Sequence, residues 1–308
     1  MATPQAAPNG VDGAVISPTR SLWQRLILTL KLRLFKALVT TAFKVFNLPG
    51  LRNKSILPTF TKVYPCQPTL TNRVFIPKSY KSDDPLLPLY LDIHGGGFAL
   101  MSPLVDDPFC SSFAHDNKVI VISLDYPKAP SHPYPAAVLA LTDLIKAVLE
   151  DETLPFDKNK VAIGGFSAGA NLSIAVTQNE SIRDKIGAVV AYYPPTDFVT
   201  KGPDKMETRP IHAPPDPLEN SVAMFDYGYT SAGQDLRDPL LSVRFAERDR
   251  LPPKLCIIGC EFDLLCREAE LLAEKMASVG SGERKGSDIL WEKNGVRWEK
   301  IVGELHGT

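Results

Sequence analysis

Short apolar runs separated by helical stretches constrain this chain more than any other feature of it. Leu89–Ile93, Val119–Leu124, Val161–Ile163, Ala188–Tyr193 and Leu255–Ile258 resemble strands buried on both faces. Helical segments separate several of them, near Asp107–His115, Pro135–Glu150, Ala168–Asn179 and Leu264–Val279. That alternation predicts an α/β fold: a mostly parallel central sheet with helices on both faces and right-handed crossovers. Lys62–Cys66 and Arg73–Ile76 read as an antiparallel opening pair. The rhythm breaks over about residues 198–237, which are polar and rich in proline, with a helix expected near Leu218–Tyr227. This segment follows a strand, so it reads as an insertion over the strand ends, where open α/β sheets bind ligands. At 308 residues, 44% of them hydrophobic, the chain can bury a large core.

Charge and cysteine usage narrow the function. The net charge of −1 offers no basic excess for nucleic acid. Five cysteines without a CxxC pair or a Cys/His ligand set argue against a disulfide scaffold or a zinc site. A reducing, cytoplasmic compartment and no metal are expected. Residues 1–82, however, hold twelve basic side chains against the single acid Asp12, a balance of +11. Within them Ser21–Phe46 reads as a helix whose polar residues Arg25, Thr29, Arg33, Lys36, Thr40 and Lys44 form one stripe. Lys31 falls off the stripe, and Trp23 with leucines, isoleucine and phenylalanines fills much of the rest. Charges interrupt each apolar run before the ~18 residues of a spanning helix. The polar first twenty residues do not read as a secretory signal. The simpler expectation is a helix packed on the domain's own surface or over its site. The other is peripheral contact of residues 21–46 with an intracellular membrane, basic groups toward anionic lipid. A mitochondrial transit segment is a weaker third reading.

Three pieces of chemistry fall at the strand ends. Gly165-Phe166-Ser167-Ala168-Gly169 lies directly after one strand and before a helix, the context of a nucleophile elbow. Gly165 and Gly169 are small because the turn is tight, and the helix N-terminus favours negative charge at Ser167. His94-Gly95-Gly96-Gly97-Phe98 ends another strand. Its three glycines expose backbone N–H groups suited to an oxyanion, a term worth ~10² to 10³ in rate per donor. A flexible turn or a phosphate nest is the plainer reading of the same run. Ser167 needs a base and an orienting acid. In sheets with this elbow the chain order is Ser, then Asp or Glu, then His. Only His212 and His306 follow Ser167. His212, in the insertion, reads as solvated surface, so His306 is the expected base. Asp263 is the expected acid, with Glu261 as fallback; Asp263 also suits a helix N-cap before Leu264.

Taken together these residues resemble the hormone-sensitive-lipase-like branch of the α/β-hydrolases, which includes arylacetamide deacetylase-like esterases. His94–Phe98 matches its HGGGF, and Gly165–Asn171 is similar to its GxSAGxN. Asp125-Tyr126, Ala129-Pro130 and His132–Ala137 resemble its DYRLAPEHPYPAA stretch. Asp238–Ser242, Asp263–Leu265 and His306-Gly307 fit its later landmarks. The resemblance implies an α/β-hydrolase fold with an eight-stranded sheet and a helical cap made by residues 1–60 and the 198–237 insertion of a catalytic domain over 61–308. It implies a small-molecule ester substrate and no cofactor. The family's nucleophile, acid and base fall on Ser167, Asp263 and His306. Its oxyanion donors fall on Gly95, Gly96, Gly97 and Ala168, which leaves His94 to order the loop. Two departures stand out. Pro127-Lys128 replaces the usual Arg-Leu, a change expected to alter only packing. The chain stops at Thr308, where the family continues with a C-terminal helix. The loop of His306 is therefore expected to fray, and the terminal carboxylate would favour a protonated imidazole. A weakened enzyme is the expectation.

The function expected is hydrolysis of small or medium apolar esters through an acyl-enzyme. One alternative is an amidase, formamidase or acyl-transfer enzyme of natural-product biosynthesis. Another is a ligand-binding protein on a hydrolase fold with little turnover.

Overall fold

Ile120, Val121, Ile122 and Leu124 are all fully buried. A segment without a solvent face sits only inside a sheet covered on both sides, and the computed structural model shows such a sheet. It describes residues 13–46 and 53–307. Ten strands run β1 (Phe60–Lys62), β2 (Asn72–Phe75), β3 (Leu87–Ile93), β4 (Ile120–Leu124), β5 (Phe156–Phe166), β6 (Ala188–Tyr192), β7 (Lys254–Cys260), β8 (Lys285–Gly286), β9 (Leu290–Lys293) and β10 (Val296–Ile301). Their order in the sheet is β1-β2-β4-β3-β5-β6-β7-β10-β9-β8. The six strands from β4 to β10 are mutually parallel, and the strands at both edges are antiparallel.

The helices are α1 (Leu22–Phe46), α2 (Asp107–Asn117), α3 (Ala136–Leu149), α4 (Ala168–Thr177), α5 (Glu180–Arg183), α6 (Gly202–Met206), α7 (Val222–Tyr229) and α8 (Cys266–Ser278). All ten residues of α4 are buried, so the helix that follows Ser167 lies deep in the core. The register sets Ile93 of β3 beside Gly165 of β5, and Phe166 beside Tyr192 of β6. The ends of β3, β5 and β6 therefore meet at one place.

The edges depart from expectation. The opening pair is antiparallel, but its first strand covers Phe60–Lys62 rather than Lys62–Cys66, with Phe60 opposite Val74. Among the described residues the sheet has ten strands rather than eight. The additional hairpin of β8 and β9 extends beyond β10, and its anchor is Trp291, buried opposite Trp298. Glu292 and Lys293 make β9 half polar, as suits a strand near a sheet edge, and it offers no apolar run to notice. The insertion contributes α6 and α7. Tyr227 of α7 meets Thr29 of α1 through their hydroxyls at 3.0 Å, and Leu32 of α1 leaves no room for a Cβ at Gly228. No helix among the described residues is long and apolar enough to cross a membrane.

Candidate active site

Ser167 sits between β5 and α4 with φ 52° and ψ −117°, a conformation L-residues rarely adopt. Its neighbours make room for it. A Cβ at Gly165 would lie 2.2 Å from the Ile93 carbonyl oxygen, and one at Gly169 only 1.9 Å from the same atom. The strained turn thrusts the serine out of the sheet plane, while Asn171 ties α4 in place through bonds to the carbonyls of Pro195 and Leu241.

The structure brings together three side chains far apart in sequence. His306 Nε2 lies 2.8 Å from Ser167 Oγ, and His306 Nδ1 lies 2.7 Å from Asp263 Oδ2. Asp263 is buried, and its other oxygen accepts the Leu265 N–H at 2.9 Å. Helix α8 begins at Cys266, two residues later than Leu264, so Asp263 is not its N-cap. The carboxylate still serves two partners, one per oxygen. Glu261 accepts the N–H of Gly303 at 2.8 Å and so braces the histidine loop rather than the imidazole.

That loop is not frayed over its described residues. The N–H of Phe262 donates to the Glu304 carbonyl and that of Glu261 to Ile301, both at 2.9 Å. The Tyr193 ring stands edge-on to the imidazole at 4.7 Å. Thr308, and with it the expected effect of a terminal carboxylate, lies outside the described residues. His212 is exposed and edge-on to Phe262 at 5.4 Å, as a surface histidine would be.

Gly95–Gly97 curl against the elbow. A Cβ on Gly95 would touch the Phe166 carbonyl oxygen at 3.0 Å, and Gly97 and Ala168 line one pocket with Ser167. His94 is buried beneath this loop and stacked on Tyr126 with ring centres 4.4 Å apart. Its Nδ1 donates to the Gly95 carbonyl at 2.7 Å, and its Nε2 lies 3.4 Å from Asp125. Burial pulls its pKa below the ordinary histidine value despite Asp125, which suits a neutral strut. Lys128 corrects one expectation. It is ion-paired with Asp125, donates to the Tyr126 carbonyl at 2.9 Å and lies over the Tyr126 ring. The change at Pro127-Lys128 therefore adds an electrostatic brace, not packing alone.

A small cavity opens beside Ser167, walled by Phe98, Phe198, Leu218, Val222, Phe225 and Leu265. Two of its three charged residues, Asp197 and Lys205, are ion-paired, Asp197 with Arg244 at 2.6 Å. Lys205 pairs with Glu268 at 2.6 Å and donates to the Asp197 carbonyl at 2.7 Å. Burial, the largest effect, pushes the Glu268 carboxyl up to about 7 and that of Asp226 above its ordinary value. Sequence reasoning passed over Tyr193, Phe225, Lys205 and Asp216. None belongs to a spaced motif, and each acquires its role from contacts between segments far apart in sequence.

The comparisons with known proteins bear on the fold and the family. A family model for the α/β-hydrolase fold matches residues 90–284. An esterase of Acinetobacter venetianus is 27% identical over 249 residues, covering 79% of this chain and 80% of that protein. Neutral cholesterol ester hydrolase 1 of Rattus norvegicus is 30% identical over 143 residues, which span 42% of this chain and 35% of its own length. The solved structure of an esterase from Pyrobaculum calidifontis superposes with a TM-score of 0.69 at 28% identity, covering 93% of this chain and 90% of that one.

Proposed function

The chain belongs to the α/β-hydrolase family and is a carboxylic ester hydrolase, and on that premise we propose that Ser167, His306 and Asp263 carry the reaction through an acyl-enzyme. The observation that carries this reading is the unbroken line from Asp263 through His306 to Ser167, 2.7 and 2.8 Å long at its two joints.

Ser167 Oγ attacks the acyl carbonyl as His306 Nε2 takes its proton. Asp263 fixes the imidazole tautomer and stabilises the imidazolium that forms. The tetrahedral oxyanion is held by backbone N–H groups of the Gly95–Gly97 run and of Ala168. Backbone donors fixed in advance need no reorganisation at the moment of reaction. His306 then gives the proton to the departing alcohol, leaving the acyl group on Ser167. A water molecule, deprotonated by the same imidazole, attacks the acyl carbon, and the carboxylic acid departs.

The substrate is an uncharged ester of small or medium size. Mostly apolar side chains wall the cavity, and its Lys205 and Asp197 are held by Glu268 and Arg244.

The test is hydrolysis of p-nitrophenyl acetate, butyrate and octanoate by the wild type and by Ser167→Ala, with fluorophosphonate labelling alongside. Loss of activity and of labelling in the variant is expected. An active, labelled Ser167→Ala protein would refute the assignment.

A further inference from the structure

Helix α1 has two apolar faces, and the described residues cover only one. Leu32 is wholly buried against α7. On the opposite side Trp23, Leu26, Leu30, Leu34 and Leu38, spaced three or four apart, are 76%, 58%, 55%, 62% and 68% exposed. Such a row lies on one face of a helix, and an exposed apolar strip of this length marks an interaction surface.

Charge says what covers it. From Leu22 to Phe46 the helix holds Arg25, Lys31, Arg33, Lys36 and Lys44 and no acid. By helical spacing Arg33 and Lys44 border one edge of the apolar row and Lys31 the other. Beside the Arg33 edge lies an open groove between α1, α7 and the 130–133 turn. Arg20, Arg25 and Arg33 line it with the hydroxyls of Thr29, Ser131 and Thr230, and no carboxylate does. Guanidinium and hydroxyl donors without an acid suit phosphate oxygens. A second copy of the chain packed on this face would set Lys31, Arg33 and Lys44 against the same three charges, whereas an anionic lipid surface neutralises them.

We propose that the outer face of α1 docks on an anionic lipid bilayer, with its leucines and Trp23 among the acyl chains and the arginine groove receiving headgroup phosphates. The helix lies in the plane of the interface rather than across it. Its inner face holds the cap: the Phe35 ring meets that of Phe225 at 6.3 Å, and Phe225 walls the cavity beside Ser167. Docking therefore sets the roof of the site against the lipid. This inference rests on α1 and the groove beside it and stands or falls independently of the ester-cleavage assignment.

Tryptophan fluorescence reads the docking directly, because Trp291 and Trp298 are buried and Trp23 is not. The probes are vesicles of phosphatidylcholine alone and vesicles of about three parts phosphatidylcholine to one of phosphatidylserine. With the anionic vesicles a blue shift is expected, together with co-sedimentation that weakens as salt is raised. Neither is expected with phosphatidylcholine alone, and the shift should vanish in Trp23→Phe. Arg25→Gln/Lys31→Gln/Arg33→Gln should bind about 100-fold more weakly, at roughly fivefold per charge removed. Leu26→Glu/Leu30→Glu/Leu34→Glu should not bind, yet should hydrolyse soluble p-nitrophenyl butyrate at the wild-type rate. The proposal is overturned if the wild type ignores anionic vesicles or binds both kinds equally. It is also overturned if the leucine variant instead abolishes a concentration-dependent dimer.

Discussion

Asp216, in the insertion, accepts the backbone N–H of Leu264 at 2.8 Å. The segment that roofs the cavity thus also grips the turn bearing Asp263. Arg209 strengthens the grip through the Phe262 carbonyl, at 2.8 Å. Removing the Asp216 carboxylate leaves the Leu264 and Leu218 N–H groups without their acceptors. Asp216→Ala should therefore cost about 1–3 kcal/mol of stability. It should also lower kcat by ~10- to 100-fold, since small displacements of an aligned site are expensive. Asp216→Asn keeps one acceptor oxygen and should fall between. Thermal unfolding beside steady-state kinetics tests this. A lowered Tm with unchanged kcat would reduce Asp216 to a purely structural tie.

Ser167 pays for its exposure with strain. At φ 52° and ψ −117° it stores about 1–3 kcal/mol that only glycine avoids. Ser167→Ala and Ser167→Gly should both lose ester hydrolysis, but the glycine variant should unfold at the higher temperature. The added chain entropy of glycine, about 0.5–1 kcal/mol, offsets part of the gain. If alanine proves the more stable of the two, the elbow is not strained in solution.

How much of this could be read beforehand follows from the kind of signal each part leaves. The parallel strands were legible because their burial on both faces makes continuous apolar runs, as in Leu89–Ile93. Ser167, His306 and Asp263 were legible because an elbow needs glycines at fixed offsets and its partners follow in a set order. The β9 strand was not, since one buried Trp291 among charged neighbours leaves no run. Asp216 was not, because its partner lies 48 residues away in another loop. Helix α1 read as a single amphipathic stripe. Its split into a covered and an uncovered apolar face depends on where Leu32 docks, which no periodicity records.

Beneath the glycine loop, Asp92 on β3 and Asp106 form a buried acidic pair. Ser123 donates to Asp92 at 2.6 Å, and Cys110 donates to the same oxygen. Burial, the largest effect, raises both carboxyls, and the neighbouring Asp92 raises Asp106 further. The folded protein therefore keeps a proton that the unfolded chain releases near pH ~4. Where the native state binds more protons, stability falls as pH rises. Urea unfolding should show that decline from about pH 4 toward the alkaline side. In Asp106→Asn the dependence should flatten, leaving the variant the more stable protein in alkaline buffer. Parallel curves for the two proteins would mean the pair does not share a proton.

The ring of Phe225 decides how far the cavity extends. It fills the space beside Gly97, where a Cβ would come within 2.6 Å of it, and it lines the same cavity as Ser167. Phe225→Ala removes that wall without touching the hydrogen-bonded line. The preference for octanoate over acetate, as a ratio of kcat/KM, should then rise about tenfold, since an added methylene in an apolar pocket is worth about 1–3 kcal/mol at most. Gly97→Ala works from the other side. Its methyl meets Phe225 and its φ of +59° disfavours any side chain. Activity should therefore fall on every ester alike, because the loop that faces the oxyanion is displaced. An unchanged chain-length preference in Phe225→Ala would place the acyl chain elsewhere, with the Phe225 side of the cavity left to the alcohol.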